Sequence, residues 1–249
     1  MCACLAALGC ADVPRSPAAS EANKIRRTDA PAPDRPLAAW EPYAPDFVYE
    51  GLTLEDWGIE WVRWSNAPTE CVGSPVQDKD GSLCGRYQDP DSPVFILQLG
   101  VGRTTVRSEC EIPAGKALLV PLYGVCLDKL GVWPDADTPD SELKRMIQDT
   151  MRSARDLVLV ADGRAVQDLK LWSVGLTELE YTLPPEPNLY SCTGWKGITG
   201  RVSPAYLGGI FVLFPPPSPG VHTLEYGAKK TLDGDDIAHY VKTTFRVLP

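Results

Sequence analysis

The chain has 249 residues, of which 44% are hydrophobic and 23% charged, and its formal net charge at pH 7 is −9. An acidic balance argues against nucleic acid as a partner, because phosphate recognition needs a basic surface. The sequence also lacks a run of about 18 apolar residues, the length required of a membrane-spanning helix.

Residues 1–10 end in a pattern typical of bacterial lipoprotein signals. Leu5-Ala6-Ala7-Leu8 is a short apolar run, Gly9 is a small residue, and Cys10 follows as the acceptor of lipid. The run is short and no Lys or Arg precedes it, so ordinary thiols on an apolar terminus are the alternative. The pattern predicts an exported protein, at the bacterial cell envelope or outside the cell, attached to the membrane only through lipid on Cys10.

Residues 11–39 are rich in proline and alanine and have no hydrophobic period. Such a composition cannot bury enough apolar surface to offset the entropy of ordering the backbone. We expect a disordered, semi-extended tether there. The remaining residues, 40–249, suit one β-sandwich domain, since all-β sandwiches often reach this length.

Two helices are expected in this domain. Thr53 is a capping residue, acidic residues follow it, and Trp57, Trp61 and Trp64 recur at helical spacing, which is typical of a buried helix face. A sugar-stacking platform is the alternative interpretation of these rings. The second helix is predicted to open at Thr138-Pro139, with Thr138 as the cap and Pro139 in the first turn.

Most other segments have the alternation and turn residues of β-strands. Val94–Leu99 and Thr104–Ser108 are predicted to form a hairpin around Gly100–Gly102, and Asp162-Gly163 marks a second hairpin turn. We therefore expect a mostly β fold, a β-sandwich or jelly roll with two packed α-helices. The further predicted strands are 116–120, 157–160, 169–174, 178–183, 209–214, 223–226 and 237–248.

Five cysteines lie in the predicted domain, namely Cys71, Cys84, Cys110, Cys126 and Cys192. In an exported protein, disulfides are the expected state of such cysteines. The predicted hairpin favours Cys84 with Cys110, since the segment after Cys84 folds back through Pro90 and Pro93. Cys126 with Cys192 is the second predicted pair, and Cys71 then remains free or pairs elsewhere.

Several motifs recur along the domain in a fixed order. They are the Trp57/Trp61/Trp64 helix, Asp80-Gly81 with Cys84 and Gln88, Val94–Leu97, Arg107 with Cys110, Pro113-Ala-Gly-Lys-Ala117, and Pro217–Tyr226. Together they resemble a family of secreted bacterial proteins and lipoproteins of uncharacterised function. The resemblance spans most of Trp57 to Leu248 and implies a structural Cys84–Cys110 bridge. The chain departs from the family at Cys71 and Cys192, and at Gln98-Leu99, where an Ala-Gly pair is usual.

Asp78-Lys79-Asp80-Gly81 is similar to the opening of a calcium loop, with oxygen ligands on alternate residues and a glycine at the turn. The twelfth position is Asp89 where a calcium loop places glutamate, and acidic turns are common in solvent. Asp78 and Asp80 are thus candidate calcium ligands, with a solvated turn as the alternative. No other cofactor is indicated.

The predicted loop region 184–209 carries three aromatic residues, Tyr190, Trp195 and Tyr206. Long loops on rigid β scaffolds often carry recognition. A surface for a glycan or another envelope polymer would need at least two of these rings to be exposed and coplanar. The alternative is that the rings cover the core beneath the loop.

Two functions remain open from the sequence. A structural or ligand-binding protein of the envelope is the preferred one, and a secreted polysaccharide hydrolase with paired carboxylates is the other. The chain holds only two histidines, His222 and His239, too few for a three-histidine zinc site. His222 at a strand start is typical of a histidine that hydrogen-bonds backbone.

Overall fold

Two β-sheets pack face to face in the computed structural model, which describes residues 40–99, 104–130, 134–192, 194–232 and 234–249. The predicted signal segment 1–10, the lipidation site Cys10 and the predicted tether 11–39 lie outside the described residues. Within the described residues, a four-stranded sheet has the order β1-β3-β7-β6 and a five-stranded sheet the order β2-β9-β8-β4-β5. The mostly β, sandwich-like fold predicted from the sequence is confirmed.

The strands are β1 (Val94–Ile96), β2 (Thr104–Ile112), β3 (Ala117–Asp128), β4 (Arg155–Ala161), β5 (Arg164–Ala165), β6 (Ser173–Leu183), β7 (Gly200–Phe214), β8 (Gly220–Leu232) and β9 (Asp235–Val247). The helices are α1 (Leu54–Asn66), α2 (Asp140–Ser153) and the short α3 (Leu189–Cys192). Pro75–Gln77 and Leu169–Trp172 form 3-10 turns.

Helix α1 begins where the sequence predicts. The Thr53 hydroxyl accepts the Asp56 backbone N–H at 3.2 Å, and the Asp56 carboxylate accepts the Thr53 backbone N–H at 2.9 Å. Trp57 and Trp61 are buried against the outer face of the four-stranded sheet, as the spacing predicts. A Cβ at Gly124 would lie 2.9 Å from the Trp61 ring, so the glycine permits this close approach.

Helix α2 also forms, but its start differs from the prediction. Pro139 is the N-cap and makes no side-chain capping hydrogen bond, so Thr138 is not the cap. Leu143 and Ile147 are fully buried, and a Cβ at Gly208 would lie 2.7 Å from Ile147 Cγ2. Glycine on β7 is thus what lets α2 pack directly on the sheet.

The predicted hairpin of Val94–Leu99 with Thr104–Ser108 is wrong. β1 pairs in parallel with β3 in one sheet, whereas β2 pairs in parallel with β9 in the other. The segment therefore crosses from one sheet to the other and supplies an edge strand to each. In contrast, the Asp162-Gly163 hairpin is confirmed, because Ala161 and Arg164 are paired across it.

Two further segments differ from their predicted structure. Leu169–Trp172 is a 3-10 turn, with strand beginning only at Ser173, and the Trp172 indole donates to the Tyr43 carbonyl at 3.1 Å. Residues 200–209, predicted as loop, are the first part of the long strand β7. Only residues 184–199 connect β6 to β7.

Within the described residues, disulfides link Cys84 to Cys110 and Cys71 to Cys192. The first pair is confirmed, but the predicted Cys126–Cys192 pair is wrong. Cys126 lies on β3, where it is partly buried against the α1 side of the sheet, and it belongs to neither bridge. Two disulfides indicate an oxidising environment of the kind found outside the cytosol.

Across the described part of the chain, the longest helices fall short of the length and apolar character needed to cross a bilayer.

Candidate functional site: a disulfide-linked loop that displays a tryptophan

The connection between β6 and β7, residues 184–199, is held by a disulfide and by internal hydrogen bonds. We call it the 184–199 loop; all its residues except 193 are described. It contains α3, and Cys192 at the end of α3 is joined to Cys71, which follows α1. The disulfide therefore links the loop to a segment 121 residues earlier.

Asn188 organises the inside of this loop. Its side chain has no exposed surface, and its amide donates to the carbonyls of Pro184 at 2.9 Å and Ile198 at 2.7 Å. Its side-chain oxygen accepts the backbone N–H groups of Tyr190 and Ser191, both at 3.0 Å. These four bonds use the full capacity of an asparagine side chain. The two ends of the loop are thereby held together.

Trp195 is the large apolar side chain that this loop leaves in solvent. The residue keeps 46% of its surface exposed, while its backbone N–H donates to the Tyr190 carbonyl at 2.9 Å. Val72, next to the disulfide partner Cys71, is also exposed. The loop therefore presents an indole from a backbone that is fixed by hydrogen bonds and by a disulfide.

A buried polar network anchors the loop to the sheet. Asp128, at the end of β3, accepts the hydroxyl protons of Tyr181 and Tyr190, each at 2.8 Å, and the Leu130 backbone N–H at 2.9 Å. The two hydroxyl oxygens are 3.2 Å apart. Burial raises the pKa of both phenols above its usual value, and the Asp128 charge adds to this effect. Both tyrosines thus remain hydrogen-bond donors to the carboxylate.

Of the three predicted binding rings, only Trp195 lies at the surface. Tyr190 is buried, and its hydroxyl donates to the Asp128 carboxylate. Tyr206 is buried on β7, its hydroxyl donates to the Asp140 carboxylate at 3.0 Å, and the Lys144 ammonium lies 4.8 Å from its ring centre. The expected surface of at least two exposed rings is therefore wrong, and the alternative of core-covering rings holds for both tyrosines.

The two candidate calcium ligands both accept hydrogen bonds from within their own turn. Asp78 is buried, and its carboxylate accepts the Gly81 backbone N–H at 2.8 Å. Asp80 accepts the Ser82 hydroxyl at 2.7 Å and its N–H at 3.0 Å, and these bonds lower the pKa of the Asp80 carboxyl. Each side chain thus supports the turn. Among the described residues, no group of three or more His, Cys, Asp or Glu side chains could hold a metal ion.

Sequence reasoning missed the partner of Asp78, which is Arg107 on β2. Arg107 is only 4% exposed and donates to the Asp78 carbonyl at 2.9 Å, the Gln98 carbonyl at 2.9 Å and the Leu99 carbonyl at 3.1 Å. Its Nε lies 3.9 Å from the Asp78 carboxylate, and the Tyr226 hydroxyl is 3.5 Å from Nη1. The guanidinium therefore fills the place where a cation would neutralise Asp78. The enclosed void beside it is about 10 Å³, too small for a ligand.

An open groove of about 530 Å³ lies at the β4–β5 edge of the five-stranded sheet. Leu157, Val166 and Leu171 line it, and Leu171 is 65% exposed. Asp168 is the carboxylate that lines this groove. A glycosidase needs two carboxylates about 5–10 Å apart, so this groove does not favour the hydrolase hypothesis.

Comparison with protein-family models, with curated proteins and with solved structures found no match for this chain.

Proposed function

We propose that this protein is exported, lipid-anchored at Cys10, and binds a polymer of the cell envelope through the 184–199 loop. The observation that carries the ligand-binding role is the half-exposed indole of Trp195 on a loop held by Asn188, by Asp128 and by a disulfide. Ordering a flexible loop on binding costs free energy, and a loop already held in place avoids that cost.

The disulfides and the amino-terminal pattern together support the proposed compartment. Cys71–Cys192 and Cys84–Cys110 each close within the described chain, and such bridges persist in exported proteins. Cys10 after Leu5–Gly9 supplies the lipid acceptor that the pattern predicts. Lipid attachment would keep the domain at the membrane surface, within reach of envelope polymers.

A glycan is the ligand class that this surface fits best. Trp195 offers a flat, apolar ring whose edge is polar, a combination that suits one face of a sugar ring. One ring provides little contact area, so we expect weak binding to a single sugar. Repeated units along a polymer, or several proteins on one membrane, would raise the effective concentration and strengthen attachment.

The test uses the full chain with its disulfides formed, applied to a glycan array and to purified envelope polysaccharides. We expect Trp195→Ala to weaken binding about tenfold or more, as removal of a central aromatic contact does. Leu171→Ala is the control, since Leu171 is also an exposed apolar side chain, 65% exposed, but lies in the β4–β5 groove. Equal binding by Trp195→Ala and the unsubstituted chain, or no binding by either, would exclude this role for the loop.

The anchor is tested separately by mass spectrometry of protein recovered from its own cells. An acylated Cys10 at the amino terminus is the expected result, and Cys10→Ser should abolish acylation. An intact Met1 with no acyl group would contradict lipid anchoring, and would leave the loop's binding role to be judged by the array.

A further inference from the structure

β5 is an open edge of the five-stranded sheet. In the part of the chain that the structure describes, it stands last in the strand order and has a neighbour on one side only. The Val166 backbone N–H, directly after β5, donates to the Leu159 carbonyl at 2.9 Å and so points towards β4. Backbone groups alternate between the two sides of an antiparallel strand, so the N–H and carbonyl of Ala165 face the open side. Another extended segment can pair with them.

The open groove of about 530 Å³ continues from this edge, because Val166 follows β5 and lines the groove. Leu157 and Leu171 are also in the lining, and Leu171 remains 65% exposed. Asp168 and Lys170 place one charge of each sign beside these apolar side chains. A segment paired with β5 would therefore have an apolar groove for one of its side chains and a carboxylate for a cation.

The described chain begins beside the stretch that carries this edge. The Trp40 ring lies 5.3 Å from the His222 ring, and His222 Nδ1 lies 2.7 Å from the Asp162 carboxylate at the turn before β5. The Tyr43 carbonyl accepts the indole N–H of Trp172, the residue that ends the 3-10 turn of the groove lining, at 3.1 Å. The start of the described chain thus contacts both ends of this stretch, and the residues before it enter the fold at the β5 edge.

The residues that precede Trp40 suit the groove in their side chains. Leu37 is the only Leu, Ile, Val, Met or aromatic residue in 26–39. It lies three residues before Trp40, which is a reach of about 10 Å in an extended chain. A single apolar side chain is therefore available within reach of the groove.

The register follows from the direction of the chain. A segment that leads from the groove to the start of the described chain runs antiparallel to β5, which leads from the hairpin turn to the groove. When Leu37 is placed opposite Val166, Ala38 comes opposite Ala165. Ala165 is the residue whose backbone groups face the open side, so the two alanines would exchange both of their hydrogen bonds.

We propose that residues 36–39 form an added edge strand on β5, with the Leu37 side chain in the β4–β5 groove. The occupant of the groove is thus a segment of this chain. Pro36 has no N–H to donate and ends the pairing. The added strand covers a sheet edge that is otherwise open to pairing with other proteins. The tether predicted for residues 11–39 is shortened by these residues.

Charge complementarity supports the same register. Arg35 comes next before Pro36, and with Leu37 opposite Val166 it lies towards Asp168, the carboxylate of the groove lining. An arginine and a carboxylate attract each other in this arrangement. The inference is independent of the polymer-binding role proposed for the 184–199 loop.

Methyl NMR of the full chain, with its disulfides formed, tests the contact directly. We expect nuclear Overhauser contacts between the Leu37 methyl groups and those of Val166 or Leu171. Absence of any such contact would overturn the proposal. In a mixture of differently labelled chains the contacts should arise only within one chain. Contacts between two chains would mean that a second copy fills the groove, and would also overturn it.

Hydrogen exchange of the Ala165 backbone N–H tests the pairing. The Val166 N–H, which bonds within the hairpin, is the internal reference. Leu37→Asp should raise the Ala165-to-Val166 rate ratio about tenfold, the effect of one lost hydrogen bond, because an apolar groove excludes a charged side chain. Ala30→Asp adds the same charge outside the proposed strand and should leave the ratio unchanged. An equal ratio in Leu37→Asp and the unsubstituted chain would refute pairing by this segment.

Discussion

Two buried ionic groups connect loops to the sheets, and they do so in opposite ways. Arg107 is a cation surrounded mainly by backbone carbonyls, those of Asp78, Gln98 and Leu99. Asp128 is an anion that accepts protons from the side chains of Tyr181 and Tyr190. Each network lies beside a disulfide, since Cys110 follows Arg107 on β2 and Cys192 follows Tyr190 in α3.

The Arg107 and Asp128 networks differ in how many hydrogen bonds are lost when one side chain is replaced. Without Arg107, the backbone carbonyls of Asp78, Gln98 and Leu99 would remain buried without a hydrogen-bond donor. These acceptors belong to the backbone, so a side-chain substitution cannot remove them. Without one tyrosine hydroxyl, Asp128 still has the other hydroxyl and a backbone N–H. We therefore expect the Arg107 network to fail as a unit and the Asp128 network to weaken in steps.

The largest effect should come from the disulfide beside the Asp128 network. Replacing Cys71 and Cys192 together by alanine opens a loop of 121 residues, whereas the Cys84–Cys110 pair closes one of 26. The loop-entropy relation gives losses of about 5 and about 3.5 kcal/mol in the free energy of unfolding. Urea unfolding of the two double variants measures both losses.

Cys126→Ala controls for the loss of sulfur in these variants. A larger loss for the Cys84/Cys110 variant than for the Cys71/Cys192 variant would show that loop length does not govern the two bridges.

Arg107→Met should lower the free energy of unfolding by about 3–5 kcal/mol, the usual cost of breaking a buried ionic contact by removing one partner. Methionine keeps most of the apolar volume of the arginine side chain. The loss of unfolding free energy therefore measures the cost of leaving the carbonyls and the Asp78 carboxylate without the guanidinium. Urea unfolding is the measurement, with Arg63→Met on exposed α1 surface as control, where we expect a change within about 0.5 kcal/mol. A loss below about 1 kcal/mol for Arg107→Met would mean that water replaces the guanidinium.

Tyr181→Phe should cost about 1–2 kcal/mol, because it removes one of three donors to Asp128. It should also change the response to alkali. Burial raises the pKa of Tyr181 above the unfolded value of about 10. The stabilisation is therefore complete below about pH 10 and is lost as pH rises further.

The measurement is unfolding free energy against pH from neutral to strongly alkaline solution. The stability of the unsubstituted chain should decline above about pH 10. The stability of Tyr181→Phe should decline less steeply. Part of the decline should remain in this variant, because burial also raises the pKa of Tyr226, to about 12. Identical slopes for Tyr181→Phe and the unsubstituted chain would contradict the buried-phenol account.

The parts of the fold that depend on short-range pattern were predictable from the sequence. Helix α1 follows from Thr53, Asp56 and the tryptophan spacing, because capping and helical periodicity act within one or two turns. The Asp162-Gly163 hairpin follows from two adjacent residues that adopt positive φ.

Non-local pairings were not predictable in this way. Gly100 and Gly102 indicate a turn, but β2 finds its partner in β9, more than a hundred residues later, where Thr104 pairs with Tyr240. The choice of Cys71 over Cys126 as partner of Cys192 depends on where α1 ends relative to α3, which no local pattern encodes.

The candidate site was predictable only in part. Trp195 was predicted as a binding residue and is exposed. The segment around Tyr206 was predicted as loop because glycine is typical of turns, but it is a strand. Gly208 in this strand instead makes room for Ile147 of α2. Arg107, Asp128 and Asn188 were missed as organising residues. A polar residue within an apolar strand, such as Asp128 after Cys126-Leu127, was the available signal.

The position of β9 in its sheet affects how the chain is made. β9 lies between β2 and β8, so the last of the described strands occupies the interior of the five-stranded sheet. During translation, β2 has no partner on that side until residues 235–247 have left the ribosome. The five-stranded sheet is therefore completed only after β2 has waited for more than a hundred further residues to be made.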